Sequence, residues 1–460
     1  MQTYNYPKSF VARMTDWLGA EAADFFAALT QPETGLRLNP RRGSPGELTE
    51  AFPWPVTPVP WCPLGRYWRD ADVPAGKHPY HQAGLYYIQD PTAMAAAVLL
   101  DPQPGEWVLD LAAAPGGKAS HIAARMGNEG VLVANDIARR RVSVLAMNLE
   151  RLGVTNALIV NETPSRLAER WPALFDALLV DAPCSGEGMF SRDKRIVRAW
   201  SLESVQAYAA RQREILVQSA PLVAPGGRLL YGTCTFSPEE NEGVIAAFLA
   251  QHPDFEIMDL PQLPGLRHGR PEWINAPEIL RRAGRFWPHT GPGHGHFYAL
   301  LRRQGAPARS APHRWRWRGR DLPDDVLALY RQSLEAALTI PPPETGLLLN
   351  QHGHLYVTPV APELWRELHV LRPGWWVATA HHGRIDLDHA LAMALSPADA
   401  RATCDLAPDD SRIVKYLRGG FWPDAGPPGL VLITVDGYPL GWAKRGGGRL
   451  HSRYPKHLRG

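Results

Sequence analysis

Mostly apolar runs of four or five residues alternate with helical patterns through the middle of the chain, between about residue 90 and residue 302. A short apolar run without alternation is typical of a strand that is buried on both faces. Strands that alternate with helices predict a parallel sheet covered by helices on both faces, which is an α/β fold. The runs lie at 107–111, 131–135, 157–160, 177–180 and 228–232, and helical patterns lie at 138–152 and 203–223.

The segments on either side of this region follow other patterns. Apolar positions recur with helical spacing over 10–29, whereas the proline-rich stretch 52–63 excludes a continuous helix or a central strand. Toward the C-terminus a helical pattern covers 323–338, and residues 346–380 and 428–445 alternate in the manner of strands. We therefore predict an N-terminal segment that is helical and then irregular before the core, and one or two small β-containing modules after it.

The composition is that of an ordinary globular chain: of 460 residues, 45% are hydrophobic and 21% are charged. No apolar run approaches the roughly 18 residues of a membrane-spanning helix, and the N-terminus lacks the apolar core of a secretory signal. The four cysteines form no CxxC pair, and Cys62 and Cys404 are interpreted as structural. We expect a cytoplasmic protein with reduced thiols, no membrane association and no metal, and we interpret the pair His381 and His382 as surface residues.

Positive charge is concentrated in two short segments, although the whole chain carries only +3. Residues 302–320 hold seven arginines and residues 442–460 hold six lysines or arginines, and neither segment contains an acidic residue. Such concentration is typical of proteins that bind the phosphates of nucleic acids. Because arginines outnumber lysines 42 to 7 in this chain, two solvated arginine-rich loops are the alternative interpretation.

The first candidate site is the segment DLAAAPGGK, residues 110–118, which follows a predicted strand and opens a predicted helix. Gly116 and Gly117 allow the backbone to approach a ligand closely at the carboxyl end of the strand. Asp136 ends the next strand, where a carboxylate can accept hydrogen bonds from both ribose hydroxyls of a nucleoside cofactor. The segment matches neither GxGxxG nor the P-loop, and a tight turn with a helix cap is the alternative interpretation.

Two further candidate sites each carry a thiol. Asp181 follows the fourth strand, and Cys184 lies in the glycine-flanked loop DAPCSGEG. Cys234 ends the fifth strand, just before a helix that is predicted to start at Ser237 and Pro238. Because the carboxyl ends of parallel strands meet at one edge of a sheet, we expect Asp181, Cys184 and Cys234 to lie close together. A buried thiol that acts only as a small apolar group is the alternative for Cys184.

A thiol beside a nucleoside cofactor favours one class of reaction. Cytosine C5 is a poor nucleophile, but addition of a thiolate at C6 makes C5 enamine-like and able to attack an electrophilic methyl group. The scheme needs a group that holds N3 and the exocyclic amine, for which Asp181 is suited. It also needs the C5 proton to leave before the thiolate does, and the second cysteine is suited to assist that release.

Three motifs closely resemble those of the Sun/Fmu-type RNA cytosine-5 methyltransferases, as a set and in this order: DLAAAPGGK (110–118), DAPCSGEG (181–188) and GTCTFSPEENE (232–242). The likeness extends to PKSFVARM and GLRLNP near the N-terminus and to RFWPH and GHGHFYALLRR before residue 304. The tail, residues 436–460, resembles the C-terminal module of the RsmF-like branch, which methylates cytosines of 16S ribosomal RNA. The resemblance thus covers nearly the whole chain.

The resemblance implies a fold class: an α/β, Rossmann-like class I methyltransferase domain with a seven-stranded mixed sheet, an N-terminal α+β segment and a C-terminal β-rich PUA-like module. Together with the patterns above, it predicts five parts of the chain. They are an N-terminal RNA-binding-like segment (1–75), the catalytic domain (76–304), a basic linker (305–320), a small α+β module (321–400) and a PUA-like RNA-binding module (401–460).

The resemblance also implies a binding site for S-adenosylmethionine. Asp136 is expected on its ribose, and Asp181 is expected between the cofactor and the target base. Family members often carry an acid for the adenine amine after the third strand, where this chain has Thr163 beside Glu162. Thr163 is therefore the cofactor-binding candidate at that position. The candidates in the first motif are Ala112, Ala113, Ala114, Pro115, Gly116, Gly117 and Lys118.

The catalytic roles implied by the resemblance fall on four residues. Cys234 is expected to be the nucleophile, and Cys184 is expected to aid product release. Asp181 positions the base, and Lys118 belongs to the catalytic set as well as to the cofactor site. DNA cytosine-5 enzymes attack with a Pro-Cys thiol instead. The assignment of the two thiols to the two roles therefore rests on the family resemblance and not on their spacing in the sequence.

The candidate RNA contacts lie in the two basic segments. Base chemistry requires the target nucleotide outside its stack, which RNA permits most easily in single-stranded segments. The run Arg-Trp-Arg-Trp-Arg at 314–318 combines side chains for phosphate contact and stacking, and a linker whose tryptophans pack on the C-terminal module is the alternative. The candidates are Arg314, Arg316, Arg318, Lys444, Arg445, Arg453 and Lys456.

The leading hypothesis is a monomeric, S-adenosylmethionine-dependent RNA cytosine-5 methyltransferase that acts on 16S ribosomal RNA or the 30S subunit. A transfer RNA enzyme of the same class and a non-catalytic ribosome-assembly factor are the alternatives. The intact thiols and cofactor segment argue against the assembly factor. An amino-methyltransferase is disfavoured because Asp-Ala-Pro-Cys stands where such enzymes carry Asn/Asp-Pro-Pro-aromatic.

Overall fold

The N-terminal region forms a small antiparallel sheet with helices around it. The computed structural model describes residues 5–68, 74–306, 317–341 and 343–459. The helical pattern over 10–29 forms two helices, and the first ends at Gly19, which has a left-handed φ of 55°. The elements are α1 (Lys8–Leu18), α2 (Ala22–Thr30), β1 (Thr34–Leu38), α3 (Pro45–Glu50), β2 (Val56–Val59), β3 (Cys62–Trp68), α4 (Pro79–Gln82) and β4 (Tyr86–Ile88), with strand order β2-β3-β1-β4.

The proline-rich stretch contributes to two strands of that sheet. Pro58 lies in β2, an edge strand, where a missing N–H can face away from the ladder. Cys62 and Pro63 begin β3, which is an inner strand, and they precede the residues that pair with β1. The exclusion of a central strand is therefore wrong for Cys62 and Pro63, because proline is tolerated at the start of a strand.

The middle of the chain forms an α/β domain. Its helices are α5 (Pro91–Leu100), α6 (Gly117–Arg125), α7 (Arg139–Arg151), α8 (Pro164–Arg170), α9 (Lys194–Ala199), α10 (Leu202–Ser219) and α11 (Glu242–Gln251). Its strands are β5 (Trp107–Asp110), β6 (Val131–Asn135), β7 (Ala157–Val160), β8 (Phe175–Asp181), β9 (Val223–Thr233), β10 (Phe255–Ile257), β11 (Leu266–His268), β12 (Gly284–Phe286) and β13 (His296–Arg303). The five predicted apolar runs coincide with β5 to β9.

These five strands are parallel neighbours in the order β7-β6-β5-β8-β9. β13 then pairs antiparallel with β9, and β12 pairs antiparallel with β13. The predicted α/β class and mixed sheet are thereby confirmed. The reversed strands come from the segment before residue 304 that resembles the family.

The C-terminal region is rich in strands, as predicted. It forms two five-stranded sheets, ordered β14-β15-β16-β18-β19 and β20-β22-β23-β24-β21. No helix in the described ranges is both long and apolar enough to cross a membrane. The elements are β14 (Arg320–Asp321), α12 (Asp324–Ala337), β15 (Leu347–Leu349), β16 (His354–Val357), β17 (Val370–Arg372), β18 (Trp375–His381), β19 (Arg384–Leu387), α13 (His389–Ala392), β20 (Thr403–Leu406), α14 (Ser411–Leu417), β21 (Phe421–Pro423), β22 (Gly429–Val435), β23 (Tyr438–Gly446) and β24 (Arg449–Ser452).

Within the described residues the central sheet contains ten strands rather than the predicted seven. β10 and β11 join it beside β13 and β12, and β17 pairs antiparallel with β7 at the opposite edge. Each of the three added strands has only three residues, which is too short a pattern to distinguish from a loop. β17 also comes from the C-terminal region, so only the folded chain brings it beside β7.

Helices cover both faces of the parallel strands. Within β8, Leu178 and Val180 pack on one face of the sheet, whereas Ala177 and Leu179 pack on the other. All four side chains are at most 1% exposed. Because a shift of one residue would exchange the two faces, this double packing fixes the register of the strand and the place where it ends.

The N-terminal helices pack on the loops that follow β8 and β9. Phe10 contacts Phe190 and Phe25 contacts Phe236, with ring centroids 5.0 Å apart in each pair. All four aromatic side chains are nearly fully buried. The N-terminal segment therefore supports the two loops that carry the candidate thiols.

The helix after β9 begins at Glu242, later than the predicted start at Ser237. Ser237 donates its hydroxyl hydrogen to Glu187 Oε1 at 2.6 Å and does not cap a helix. Residues 238–241 form a turn instead, and Asn241 occupies the N-cap position. A hydrogen bond to a distant loop thus overrides the local helix-start signal.

Arg285 and Glu242 form a buried ion pair between β12 and α11, with nitrogen–oxygen distances of 2.8 and 2.5 Å. Arg285→Ala leaves the carboxylate buried without its partner, so we expect the free energy of unfolding to fall by about 3–5 kcal/mol. Urea denaturation followed by tryptophan fluorescence measures this loss. Arg267→Ala, which removes an exposed pair with Glu21, is the control and should cost less than about 1 kcal/mol. Equal losses in the two variants would contradict the prediction.

Candidate active site

The candidate residues meet at one edge of the central sheet. The five parallel strands end at Asp110, Asn135, Val160, Asp181 and Thr233, so the loops that follow them open at the same edge. The cofactor candidates follow β5 and β6, and the two thiols follow β8 and β9. The expected convergence of these motifs is therefore present in the folded chain.

The loop 112–118 is shaped for close approach of a ligand. Gly116 has a φ of 110°, which favours glycine, and a Cβ there would lie 3.2 Å from the Leu145 side chain. Gly117 begins α6, whose first backbone N–H groups face the loop without helical partners. The end of a helix with free N–H groups favours a negatively charged ligand group.

Two arginines from outside the loop hold it in place. Arg37, which is 3% exposed and lies in β1, donates hydrogen bonds to the Gly117 carbonyl and, at 2.6 Å, to Ser120 Oγ. Arg141, near the start of α7, donates to the Ala114 carbonyl. The N-terminal segment and α7 therefore brace the same loop from two elements.

Two buried carboxylates at this edge have oxygens that lack a hydrogen-bond partner in the described residues. Asp136 is 2% exposed, and its Oδ1 accepts from Ala138 N at 2.8 Å. Its Oδ2 makes no hydrogen bond, although an Arg141 nitrogen lies 3.4 Å away. Neither oxygen of the fully buried Asp110 makes a well-formed hydrogen bond. Since buried polar atoms are almost always paired, these oxygens are suited to a ligand that supplies donors.

Lys118 and Asp181 form an ion pair at the centre of the edge, with Nζ 2.7 Å from Oδ2. Burial acts to lower the pKa of the ammonium, but the facing carboxylate outweighs it and raises the pKa of Lys118. Cys234 lies within electrostatic range of the same ammonium. The ion pair thus places the positive charge of Lys118 near Cys234 and fixes the position of the Asp181 carboxylate.

The two candidate thiols are in contact: Cys184 Sγ lies 3.4 Å from Cys234 Sγ, and both are free cysteines. The hydrogen bond with Cys234 and burial raise the pKa of the Cys184 thiol well above its usual range. The raised pKa keeps the Cys184 thiol protonated, and either sulfur can donate the hydrogen bond between them. Cys62 and Cys404 lie in β3 and β20, which belong to other sheets.

Known protein families match the chain in four segments. They are the N-terminal domain of 16S rRNA methyltransferase RsmF at 6–91, 16S rRNA methyltransferase RsmB/F at 97–302, the RsmF rRNA methyltransferase first C-terminal domain at 333–395 and the methyltransferase RsmF PUA domain at 404–460. Ribosomal RNA small subunit methyltransferase F of Escherichia coli O17:K52:H18 (strain UMN026 / ExPEC) is 33% identical over 99% of this chain and 97% of its own length. The chain belongs to the RsmF family. It is a methyltransferase with a C-terminal PUA domain, so the family and enzyme class predicted from its motifs are confirmed.

Other relatives agree with membership of the RsmF family. The protein of the same name from Shigella boydii serotype 18 is also 33% identical, over 99% of this chain and 97% of its own length. A methyltransferase homolog protein from Pyrococcus horikoshii is 30% identical, with a TM-score of 0.58 over 65% of this chain and 96% of its own. NSun6 from that organism, solved with SFG, shares the fold at 21% identity, with a TM-score of 0.56 over 65% and 99% of the two chains.

In this RsmF family member, the turn after β7 is bound by the C-terminal region. Thr163 Oγ1 accepts a hydrogen bond from Arg166 N at 3.3 Å and caps α8. The Glu162 carboxylate, which is 8% exposed, accepts from the backbone N of His369 at 2.8 Å, and the His369 ring lies 3.1 Å away. The acid beside Thr163 is therefore already engaged, and the adenine contact of Thr163 stays a prediction.

The basic candidates for RNA binding differ in their surroundings. Arg314 and Arg316 lie outside the described residues. Arg445 and Arg453 pair with aspartates at 2.5 and 3.3 Å. The candidates that are exposed and make no ion pair within the described ranges are Arg318, Lys444 and Lys456.

Four side chains that shape the site were not among the residues predicted from the sequence. Asp110, Glu187 and Glu240 lie inside the three motifs, and Arg37 lies in GLRLNP. Motif membership was the available signal for each of them. Their partners are distant in sequence, so their contacts emerge only in the folded chain.

Burial and the nearby charge of Asp181 raise the pKa of Asp110 to about 8. Between about pH 4 and pH 8 the folded state therefore holds a proton that the unfolded chain has released, so stability falls as the pH rises through this window. The side chain of Asp110→Asn cannot ionise. We therefore expect the free energy of unfolding of this variant, relative to that of the parent protein, to rise by on the order of 1 kcal/mol per pH unit within this window. Thermal midpoints of both proteins across this window measure the difference. Parallel pH profiles would contradict the prediction.

Proposed function

We propose that this protein transfers a methyl group from S-adenosylmethionine to C5 of cytosine in 16S ribosomal RNA. The observation that carries the proposal is the pair of thiols of Cys184 and Cys234, 3.4 Å apart, beside the ion pair of Asp181 and Lys118. The names of the matched relatives, which are methyltransferases of the small ribosomal subunit, support ribosomal RNA as the substrate.

The residues present fit S-adenosylmethionine. Asp136 has a buried oxygen that makes no hydrogen bond within the described residues, and this oxygen is suited to accept hydrogen bonds from ribose hydroxyls. The loop 112–118 ends at free N–H groups of α6, which suit the carboxylate of the cofactor. When bound, the cofactor supplies an electrophilic methyl group on a cationic sulfur.

The first step follows from the setting of Cys234. The Lys118 ammonium lies within electrostatic range of Cys234, and the thiolate is the reactive form of a cysteine. The Cys234 thiolate adds to C6 of cytosine; the S–C6 bond forms, and the C5–C6 electron pair becomes available at C5 for methyl transfer. Asp181, held by Lys118 at 2.7 Å, is placed to bind N3 and the exocyclic amine, which keeps the base in orientation.

The release step follows from the protonated state of Cys184. C5 loses its proton as the S–C6 bond breaks: the C5–H electron pair re-forms the C5–C6 double bond, and the S–C6 electron pair returns to sulfur. A neutral Cys184, 3.4 Å from Cys234, can give its proton to the departing sulfur and recover one from C5. Both cysteines are then thiols, and Cys234 loses one proton to solvent before the next cycle, which balances the reaction.

RNA binding is proposed to involve both ends of the chain. The N-terminal segment packs on the catalytic loops, and the PUA domain carries the exposed Lys444 and Lys456. Phosphate contacts of this kind give salt-dependent affinity without sequence information. The target base itself has to leave its stack and bind beside the two thiols, where it is recognised.

The proposal is tested by incubating the protein with labelled S-adenosylmethionine and each of four RNAs: free 16S ribosomal RNA, 30S subunits, 23S ribosomal RNA and transfer RNA. Bisulfite sequencing then maps 5-methylcytosine. We expect label and a mapped cytosine in one or both small-subunit substrates. Methylation confined to transfer RNA would overturn the substrate, and the absence of 5-methylcytosine in all four would overturn the reaction.

The two cysteines are expected to respond differently to substitution. Cys234→Ala removes the nucleophile and should lower turnover by at least about a thousandfold, without a covalent RNA adduct. Cys184→Ala keeps the attack but removes the proton source for release, so a covalent adduct should accumulate. Denaturing gel electrophoresis of protein with labelled RNA detects the adduct, and Cys404→Ala is the control. An adduct in Cys234→Ala but not in Cys184→Ala would reverse the assignment.

Lys444 and Lys456 are expected to contribute phosphate contacts. The double variant Lys444→Glu/Lys456→Glu should weaken binding to all RNA sequences alike and reduce the slope of log affinity against log salt by about 2. Filter binding over a salt series measures the slope. Arg445→Ala is the control, because Arg445 is held by Asp424 at 2.5 Å and its loss should change the thermal midpoint more than the slope. An unchanged slope in the double variant would contradict the prediction.

A further inference from the structure

Two buried glutamates link the loops that carry the thiols. We define the Cys184 loop as residues 182–189, after β8, and the Cys234 loop as residues 234–241, after β9. Glu187 belongs to the first loop and is 1% exposed, and Glu240 belongs to the second and is fully buried. Each carboxylate binds the backbone of the opposite loop, so the two contacts are reciprocal.

Glu240 reaches from the Cys234 loop to the residue next to Cys184. Its Oε2 accepts from Ser185 N at 2.9 Å and from Gln212 Nε2 at 2.8 Å. Gln212 Nε2 also donates to the Pro183 carbonyl at 2.9 Å. The residues on both sides of Cys184 are therefore tied to Glu240, either directly or through Gln212.

Glu187 makes the converse contact with the Cys234 loop. Its Oε2 accepts from Phe236 N at 2.7 Å, and its Oε1 accepts from Ser237 Oγ at 2.6 Å and from Trp200 Nε1 at 2.9 Å. A direct backbone bond from Gly188 N to the Cys234 carbonyl, at 2.9 Å, closes the interface. The loops are thereby joined on both sides of the thiol pair.

Neither glutamate forms an ion pair with Lys or Arg within the described ranges. Burying a carboxylate without a cation is costly, so stability alone gives no reason for two of them at one interface. Burial and the charge of Glu187 raise the pKa of Glu240 to about 7, although its bonds to Ser185 and Gln212 act in the opposite direction. The reciprocal hydrogen bonds instead indicate that the two glutamates fix the Cys184 loop against the Cys234 loop.

We propose that Glu187 and Glu240 are positioning residues, which hold the Cys184 and Cys234 loops together and thereby set the separation of the two thiols. The catalytic consequence rests on the function proposed above, because a thiol pair held in contact allows proton transfer during product release. The geometric claim itself needs neither cofactor nor RNA.

The test measures how fast diamide joins Cys184 and Cys234 in a disulfide, by peptide mass mapping of the full-length protein. Glu240→Ala and Glu240→Gln both remove the charge, but only glutamine keeps an oxygen that can accept from Ser185 and Gln212. We expect cross-linking in Glu240→Ala to be at least about tenfold slower than in Glu240→Gln, which corresponds to the loss of one to two hydrogen bonds. Glu150→Gln, which removes a half-buried carboxylate of α7 that pairs with Arg372, should leave the rate within about threefold of the parent.

Turnover provides the second readout. Glu240→Ala should lose kcat by at least about tenfold while KM for RNA and the affinity for S-adenosylmethionine in calorimetry change by less than about threefold, and Glu240→Gln should restore kcat. Should Glu240→Ala fail to fold, Gln212→Ala and Glu187→Gln probe the same contacts. Equal cross-linking rates in the alanine and glutamine variants would overturn the inference even if the protein methylates RNA. Slower cross-linking in a protein that methylates no cytosine would overturn the proposed function and support the positioning role.

Discussion

Parallel pairing of five neighbouring strands is the constraint on which the rest of this structure depends. Because β5 to β9 run in the same direction, their carboxyl ends form one edge, and the motifs that follow them come together there. Apolar packing on both faces keeps each strand in register, so the loops begin at fixed places. Residues more than 100 positions apart in the chain, such as Asp110 and Cys234, thereby share one site.

The remaining parts of the chain support that edge from several directions. The N-terminal segment contributes Arg37, which binds the loop 112–118, and Phe25, which packs on Phe236 of the Cys234 loop. The C-terminal region adds β17 to the sheet beside β7, and His369 binds the Glu162 carboxylate at 2.8 Å. Membership of the RsmF family over nearly the whole length agrees with this architecture, because both ends of the chain contact the edge that carries the candidate site.

Charge at the site is arranged by burial as much as by pairing. Lys118 pairs with Asp181, whereas Asp110 forms no ion pair in the part of the chain that the structure describes, and its pKa is raised to about 8. The contact between the thiols keeps a proton on Cys184, whereas Lys118 lies near Cys234. The two cysteines on one edge thus have different charged neighbours, which supports the proposal that one attacks and the other serves as a proton source.

The sequence by itself determined the α/β class, the five parallel strands and the three motifs, because apolar runs and glycine-rich turns are local patterns. It placed Asp181, Cys184 and Cys234 at one edge for the same reason. Only the tertiary structure decided the features that depend on distant partners. The predicted helix start at Ser237 is wrong because the Ser237 hydroxyl donates to Glu187 instead of capping a helix. The sequence did not predict β17 because three residues are too few to show a periodic pattern. The paired contacts of Glu187 and Glu240 likewise need two loops that meet only when β8 and β9 lie side by side.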